Sequence, residues 1–218
     1  MADLTLYIGN KNYSSWSLRP WLALKQAGVV FDEVVIPLYQ PGSREEILKH
    51  SPSGHVPVLK HGDVAVWESL AICEYLAETV PAAGLWPRDR VARAVARAVS
   101  SEMQAGFAAL RSHLPMNIRT SVPERGVTPE VQLDINRIMA IWRDCRTRFG
   151  DGSGDFLFGS FTIADAMYAP VVTRFRTYRI ALEDPARTYC DAIMALPAMQ
   201  EWVAAAGNEP MVLDRFEF

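Results

Sequence analysis

Tyr13-Ser14-Ser15-Trp16-Ser17-Leu18-Arg19-Pro20-Trp21-Leu22 reads as a strand-to-helix corner, and the architecture of the chain can be built outward from it. Upstream, Leu4-Thr5-Leu6-Tyr7-Ile8 alternates bulky apolar residues with others, the mark of a short strand, and Gly9-Asn10 ends it. Downstream, Leu18, Trp21, Leu22 and Leu24 through Ala27 fall on one helical face, and Gly28 stands where a helix stops. Pro20 has no N–H to give, which assigns it to the first turn, with the helix starting between Ser15 and Ser17 and Ser17 as its N-cap. Ser14 and Ser15 then sit beside free backbone donors and the positive end of the helix dipole, where an anion is favoured. Serines at a helix start are also ordinary capping material, so this stretch alone leaves both readings open.

The rest of the first third supports a small mixed sheet. Phe31 to Leu38 carries strand formers at its centre, with Pro37 at its end. Ser43 is the expected N-cap of a short helix, with Glu46 as its capping-box partner. Val56 to Leu59 and Val64 to Trp67 read as two strands joined at His61-Gly62-Asp63, and Glu68 to Glu78 as an amphipathic helix. The order β-α-β-(short α)-β-β-α implies a four-stranded α/β layer of about eighty residues. Pro81 to Arg90 is the expected linker. Beyond it the strand signal fades into helices at Val91–Leu114, Glu130–Phe149, Thr162–Arg176, Ala186–Ala195 and Pro197–Ala206, with breaks at Pro115, Pro123–Pro129 and Gly150–Gly154.

The chain has 218 residues, half of them hydrophobic, and a formal charge of −3, so it can build a full core and offers no basic footprint for nucleic acid or anionic membranes. A basic segment followed by an apolar one is absent from the N-terminus and no long apolar run occurs, from which a cytoplasmic location is expected. Cys73, Cys145 and Cys190 are far apart and fit reduced, structural thiols. Neither they nor His50, His55, His61 and His113 show metal-ligand spacing, so no metal is expected.

Four motifs in order resemble those of a glutathione S-transferase of the serine type, similar to the zeta and tau classes, across essentially the whole length. Ser14-Ser15-Trp16-Ser17-Leu18-Arg19 resembles the active-site turn, with an arginine five residues after the serine. Val56-Pro57 resembles the turn in which a cis proline lets the preceding residue pair with the cysteinyl main chain of glutathione. Glu68-Ser69 resembles the pair that holds the γ-glutamyl end. Thr162-Ile163-Ala164-Asp165 resembles the capping box that opens the central helix of the second domain, a structural role for Thr162 and Asp165. The resemblance implies a thioredoxin-like α/β glutathione-binding domain at 1–80, a linker at 81–90 and an all-α domain at 91–218 that forms the second-substrate pocket. It also implies glutathione as co-substrate, a cytoplasmic detoxifying homodimer, and neither nucleic acid nor membrane as partner. Trp16 stands where the zeta pattern often carries a cysteine, which argues against disulfide exchange and weakens the zeta-isomerase assignment.

The chemistry that such a site must perform can be stated physically. A thiol with a pKa near 8.5 is only about 3% thiolate at pH 7, and lowering it two units raises that to about three quarters, at ~2.7 kcal/mol. A hydrogen bond to a charged group is worth ~1.5–3 kcal/mol, so one serine hydroxyl supplies most of it. Ser14 is the expected donor and Ser15 the second candidate. Glutathione is expected on Ser14, His55, Val56, Pro57, Glu68 and Ser69, with Gln40 or Arg44 as further contacts at its glycyl end and Arg19 as a structural charge. The electrophile is expected near Met103, Phe107, Arg111 and Tyr168, with Arg174, Arg176 and the C-terminal Phe216 to Phe218 close by. A cationic group there favours an acidic substrate. Transfer of glutathione to a small electrophile is the expected activity. A maleylacetoacetate-type isomerase and a catalytically weak interaction protein are the alternatives.

Overall fold

The computed structural model of the chain describes residues 3–150, 152 and 154–217. The first layer is a four-stranded sheet in the order β2-β1-β3-β4, formed by β1 (Leu4–Ile8), β2 (Asp32–Val35), β3 (Val58–His61) and β4 (Val64–Trp67). β1 runs parallel to β2, with Leu6 opposite Glu33, and antiparallel to β3, with Leu6 opposite Leu59. The alternation seen in the sequence buries Leu6 and Ile8 completely against α1 (Ser15–Gln26) and α3 (Ser69–Thr79), which present Leu18, Leu22, Ile72 and Leu76. α2 (Ser43–Leu48) is a short connector.

Several boundaries differ from the sequence reading, each for a local reason. Ser14, not Ser17, is the N-cap of α1, its oxygen accepting from Ser17 N–H; Ser17 is already the third helical residue. Pro20 is therefore the sixth residue of α1 rather than part of its first turn. The N-cap of α2 is Gly42, in the left-handed region at φ 84°, while the Ser43 hydroxyl donates instead to Pro37 O and Glu46 pairs with Lys49. β2 is shorter than the run Phe31 to Leu38, because Pro37 has no N–H for the ladder. For the same reason β3 starts only after Pro57. Val56-Pro57 is a cis peptide.

The second part is helical: α4 (Arg90–Ala105), α5 (Ala108–His113), α6 (Pro129–Phe149), α7 (Ile163–Thr177), α8 (Ala186–Ala195) and α9 (Pro197–Asn208). The expected single helix over Val91–Leu114 is thus two, broken at Gly106-Phe107, where Phe107 takes φ 58° and buries its ring. The break over Gly150–Gly154 is present as far as it is described, Asp151 and Ser153 lying outside the described residues. α7 runs through the middle, buried on nearly every side, which explains a sequence apolar all round rather than along one stripe. Its N-terminus is held by Asp165, which accepts from Thr162 N–H at 2.7 Å, the Thr162 hydroxyl at 3.0 Å and Leu157 N–H at 3.0 Å. Burial holds the Asp165 carboxyl up at about 6 despite these donors.

The two parts share one continuous apolar core. Arg19 of α1 reaches across to donate from Nε to Met167 O of α7 at 3.0 Å, and Trp21 meets Trp202 of α9 edge-on at 5.0 Å. The C-terminal segment after α9 returns over the first corner: the Glu209 carboxylate accepts from Lys11 N–H and Asn12 N–H, at 2.8 and 3.1 Å. No helix among the described residues is long and apolar enough to cross a membrane.

Candidate active site

The N-terminus of α1 opens into a cavity of about 580 Å³ between the sheet layer and the helical part. Ser14 and Ser15 lie on its wall, both only 6% exposed. The Ser14 hydroxyl is 2.7 Å from the Ser17 hydroxyl, and Ser17 Oγ in turn accepts from Gly9 N–H at 3.0 Å. This chain of hydroxyls ties the capping residue back to the end of β1. Ser15 Oγ accepts from Arg174 Nη2 of α7 at 3.3 Å, so the second serine faces a cation carried by the other half of the molecule.

Arg174 is buried at the cavity wall and bonded to neutral acceptors: Nε donates to Leu114 O at 2.8 Å and Nη1 to Pro170 O at 3.0 Å. The Pro170 carbonyl also takes the Thr173 hydroxyl, at 2.9 Å. Arg111 projects into the same cavity from α5, its guanidinium donating to the carbonyls of Gly106 and Met103. Those carbonyls belong to the end of α4, so the helix break that the sequence reading missed is what positions this cation. Arg44 completes the basic lining, and no carboxylate lines the cavity among the described residues. On a chain of net charge −3 this is a concentrated positive field. Burial pulls the Arg174 guanidinium down to about 10, which leaves it cationic at neutral pH, and lowers Arg111 as well.

Trp16 stands between Arg111 and one further charge: its ring lies 4.2 Å from the Arg19 guanidinium and 5.6 Å from that of Arg111. Arg19 is fully buried, with Nη1 and Nη2 unpaired among the described residues. Burial, with Arg174 and Arg111 nearby, lowers it to about 9. Trp16, His55 and Val56 also line an adjoining recess of about 240 Å³ shared with Pro57, Glu68 and Ser69. Glu68 is the N-cap of α3 at φ 72°, a strained conformation for a residue with a side chain, and accepts from Gln104 Nε2 of α4 at 3.0 Å. The Ser69 hydroxyl donates to Trp16 O at 2.7 Å.

The structure therefore brings Ser14, Ser15, His55, Val56, Pro57, Glu68, Ser69 and Arg111 to two adjoining spaces. Gln40 and Arg44 join them. Met103, Phe107 and Tyr168 do not line either one: all three are buried in the core, where the Tyr168 hydroxyl donates to Val99 O at 3.2 Å. Arg176 is exposed on the far side of α7 and lines a different cavity. Phe218 lies outside the described residues. Tyr39 and Met116, absent from the sequence reading, and Tyr13, which entered it only as the start of the serine turn, do line the main cavity, as does Phe216, packed 5.7 Å from both Tyr13 and Tyr39. The Tyr13 hydroxyl donates to the Glu217 carboxylate and accepts from Arg119 Nη2 at 2.8 Å and Leu213 N–H at 3.2 Å, fastening the C-terminal segment across the mouth. No pattern in the sequence connects residues two hundred positions apart. The three cysteines are free and buried, and the described residues contain no cluster of metal-ligating side chains.

Comparison with known proteins agrees with this geometry. Residues 13–79 match the family described as glutathione S-transferase, N-terminal domain, and residues 88–205 the one described as glutathione S-transferase, C-terminal domain. A maleylacetoacetate isomerase of Rattus norvegicus is 29% identical over 201 residues, covering 89% of each chain. A probable maleylacetoacetate isomerase of Vibrio cholerae is 25% identical over 221 residues, covering 96% of this chain and 99% of the relative. Among solved structures, a glutathione transferase homolog from Burkholderia GL BGR1 with bound glutathione superposes with a TM-score of 0.69 at 25% identity, over 94% of this chain and 98% of that one.

Proposed function

The chain belongs to the glutathione S-transferase family, and we propose that it is a glutathione-dependent enzyme that stabilises the thiolate of glutathione through Ser14 and directs it onto a small anionic electrophile. The tripeptide lies along the two adjoining spaces, its γ-glutamyl end at Glu68 and Ser69, its cysteinyl main chain at Val56 and its sulfur at the N-terminus of α1. Ser17 can donate its hydroxyl hydrogen to Ser14 Oγ while accepting from Gly9 N–H, and Ser17 N–H points at the same oxygen. With two donors on its oxygen, Ser14 is free to give its own hydrogen to the sulfur, and each bond polarises the next. Ser15, already facing a guanidinium, is the second candidate for that hydroxyl.

The observation that carries the choice of electrophile is the cavity lining of Arg44, Arg111 and Arg174 with no carboxylate among the described residues. Buried charge is costly unless paired, and a substrate carboxylate supplies the missing partner. The thiolate adds to an electrophilic carbon conjugated with a carbonyl, the double-bond electrons moving onto the carbonyl oxygen. If the adduct is protonated and released, the outcome is conjugation. If the new single bond rotates and the electrons return to expel the thiolate, the outcome is cis–trans isomerisation with glutathione regenerated. The second outcome is favoured by the resemblance to the rat and Vibrio proteins and by the arginines; Trp16 in place of a cysteine does not oppose it, since no thiol of the protein enters either route.

The test is to follow glutathione in parallel assays with maleylacetone, an anionic enone of the proposed class, and with 1-chloro-2,4-dinitrobenzene, a neutral electrophile from which the thiolate displaces chloride. Turnover of maleylacetone with catalytic glutathione supports the isomerase form, and stoichiometric consumption on the aromatic chloride the transferase form. Absence of both, with no retention on immobilised glutathione, would leave the interaction-protein alternative. The implied homodimer belongs to the same proposal; Trp67 of β4 and Val91 of α4, both exposed in the single chain, are apolar material for it, and light scattering decides.

A further inference from the structure

Two opposite charges face adjoining spaces in this structure without pairing. Arg111 lines the main cavity and Glu68 the recess beside it. Both are tied to one corner of α4: Arg111 Nη1 donates to Met103 O at 3.3 Å, and the next residue, Gln104, donates from Nε2 to Glu68 Oε2 at 3.0 Å. A guanidinium and a carboxylate attract strongly in a partly dry site, and an ion pair between these two would take both away from a ligand.

Trp16 lines both spaces and carries the Arg111 guanidinium over its ring at 5.6 Å. Its position is fixed independently of Arg111. The Trp16 carbonyl accepts from the Ser69 hydroxyl at 2.7 Å, which pins the main chain to α3. Arg19, three residues along α1, stacks on the ring at 4.2 Å, and its own Nε is fixed on Met167 O at 3.0 Å. Arg19 is completely buried, and its Nη1 and Nη2 have no hydrogen-bond partner among the described residues. The indole face is therefore what receives its charge, and the ring cannot turn without uncovering a buried cation.

We propose, resting on the reading of an anionic electrophile, that Trp16 is a specificity-determining partition: it keeps the Arg111 cation for the substrate carboxylate and the Glu68 carboxylate for the ammonium of glutathione. Arg19 is the residue that positions it. Without the ring, Arg111 turns from the cavity toward Glu68, and both substrates lose a partner at once.

The probes are 4-oxo-2-pentenoate and its methyl ester, which offer the thiolate the same conjugated carbon and differ by one charge. In each, the sulfur adds to the alkene carbon and a solvent proton completes the saturated adduct. The quantity read on the full-length protein is the ratio of kcat/KM for acid to ester at saturating glutathione, each divided by its uncatalysed rate, so a general loss of activity cancels. Wild type should favour the acid about tenfold or more, and Trp16→Leu should lower that ratio about fivefold and raise KM for glutathione. Trp16→Phe keeps a ring face and most of the ratio. Arg19→Met removes a buried charge that has no carboxylate partner, so the fold is kept, and the ratio should fall in the same direction. Adding Glu68→Gln to Trp16→Leu removes the competing carboxylate and should return the ratio to within about twofold of wild type, a rescue that a merely structural role would not give. If Trp16→Leu does not fold, Arg19→Met with and without Glu68→Gln reads the same rescue. The partition alone is overturned if wild type favours the acid and these variants favour it equally, or if Glu68→Gln restores nothing. A wild-type ratio near one, or no glutathione-dependent turnover of either probe, overturns the anionic-electrophile reading and the partition with it.

Discussion

The Ser69 hydroxyl donates to the Trp16 carbonyl at 2.7 Å, and it can do so because Pro20, four residues further along α1, has no N–H to place there. A proline inside a helix normally leaves an orphaned carbonyl. Here the orphan is the anchor that draws the start of α3, and with it the recess at Glu68, onto the serine turn. Ser69→Ala should cost about 1–3 kcal/mol, the penalty of a stranded buried acceptor. In a Pro20→Ala background the restored N–H reclaims the carbonyl, so the same change should cost clearly less. A double-mutant cycle by denaturant unfolding measures the coupling, and additivity of the two changes would refute the link.

Ser14→Ala should raise the pKa of bound glutathione by one to two units and lower kcat/KM about 10- to 100-fold, since one hydrogen bond to a charged group is worth ~1.5–3 kcal/mol. Ser17→Ala should produce a smaller shift in the same direction, because it removes one donor from the Ser14 oxygen. Ultraviolet difference spectra of the thiolate from pH 5 to 9 read both. A full shift in Ser15→Ala with none in Ser14→Ala would transfer the role to Ser15.

Arg174→Met should reduce kcat/KM for a carboxylate-bearing electrophile at least tenfold while sparing a neutral one, because only the former needs the buried cation. Arg174→Lys should not restore it: an ammonium cannot reach Leu114 O, Pro170 O and Ser15 Oγ together. Equal losses on both substrates would show that Arg174 supports the fold alone.

Tyr13→Phe should loosen the C-terminal segment, since a single hydroxyl joins Glu217, Arg119 and the main chain at Leu213. Faster amide exchange over residues 211–217 is expected, with a modest loss of global stability, about 1 kcal/mol. Unchanged exchange there would mean that Glu209 and Phe216 are sufficient fastenings.

The Asp165 carboxyl, held by burial at about 6, gives a pH dependence with a definite sign. Between its ordinary value and about 6 the folded protein binds the proton more tightly than the unfolded chain, so this residue's contribution is fully present at low pH and declines as pH rises through 6. The stability gap between wild type and Asp165→Asn should therefore shrink from pH 4 to pH 7, by at most about 3 kcal/mol. A gap that widens with rising pH would contradict the assignment.

Much of the fold was legible because it depends on local chemistry. The alternation in Leu4–Ile8, the strand pair before Trp67 and the capping pair Thr162 and Asp165 each reflect backbone periodicity or a hydrogen bond three residues long. Errors arose where a local preference had two solutions. Serine can cap from either Ser14 or Ser17, but Ser17 lies inside α1, where its hydroxyl accepts from Gly9 N–H just after β1. The alanine-rich run from Val91 to Leu114 favours one helix throughout, but burial of the Phe107 ring at the Gly106 corner was stronger than propensity. Met103, Phe107 and Tyr168 carry the right character for a substrate pocket, and core and pocket look alike in a linear sequence.

The sequence by itself determined the mixed sheet followed by a helical part and carried the motifs that resemble those of the family, the serine turn among them, because those are set by spacing along the chain. The tertiary structure alone decided which charges line the cavity. Arg111 reaches it through a helix break, Arg174 through a central helix 159 residues away from its Ser15 partner, and the C-terminal segment through contacts with Tyr13. Charge acting through space is independent of sequence distance, so the concentration of arginines without a carboxylate appears only once the chain is folded.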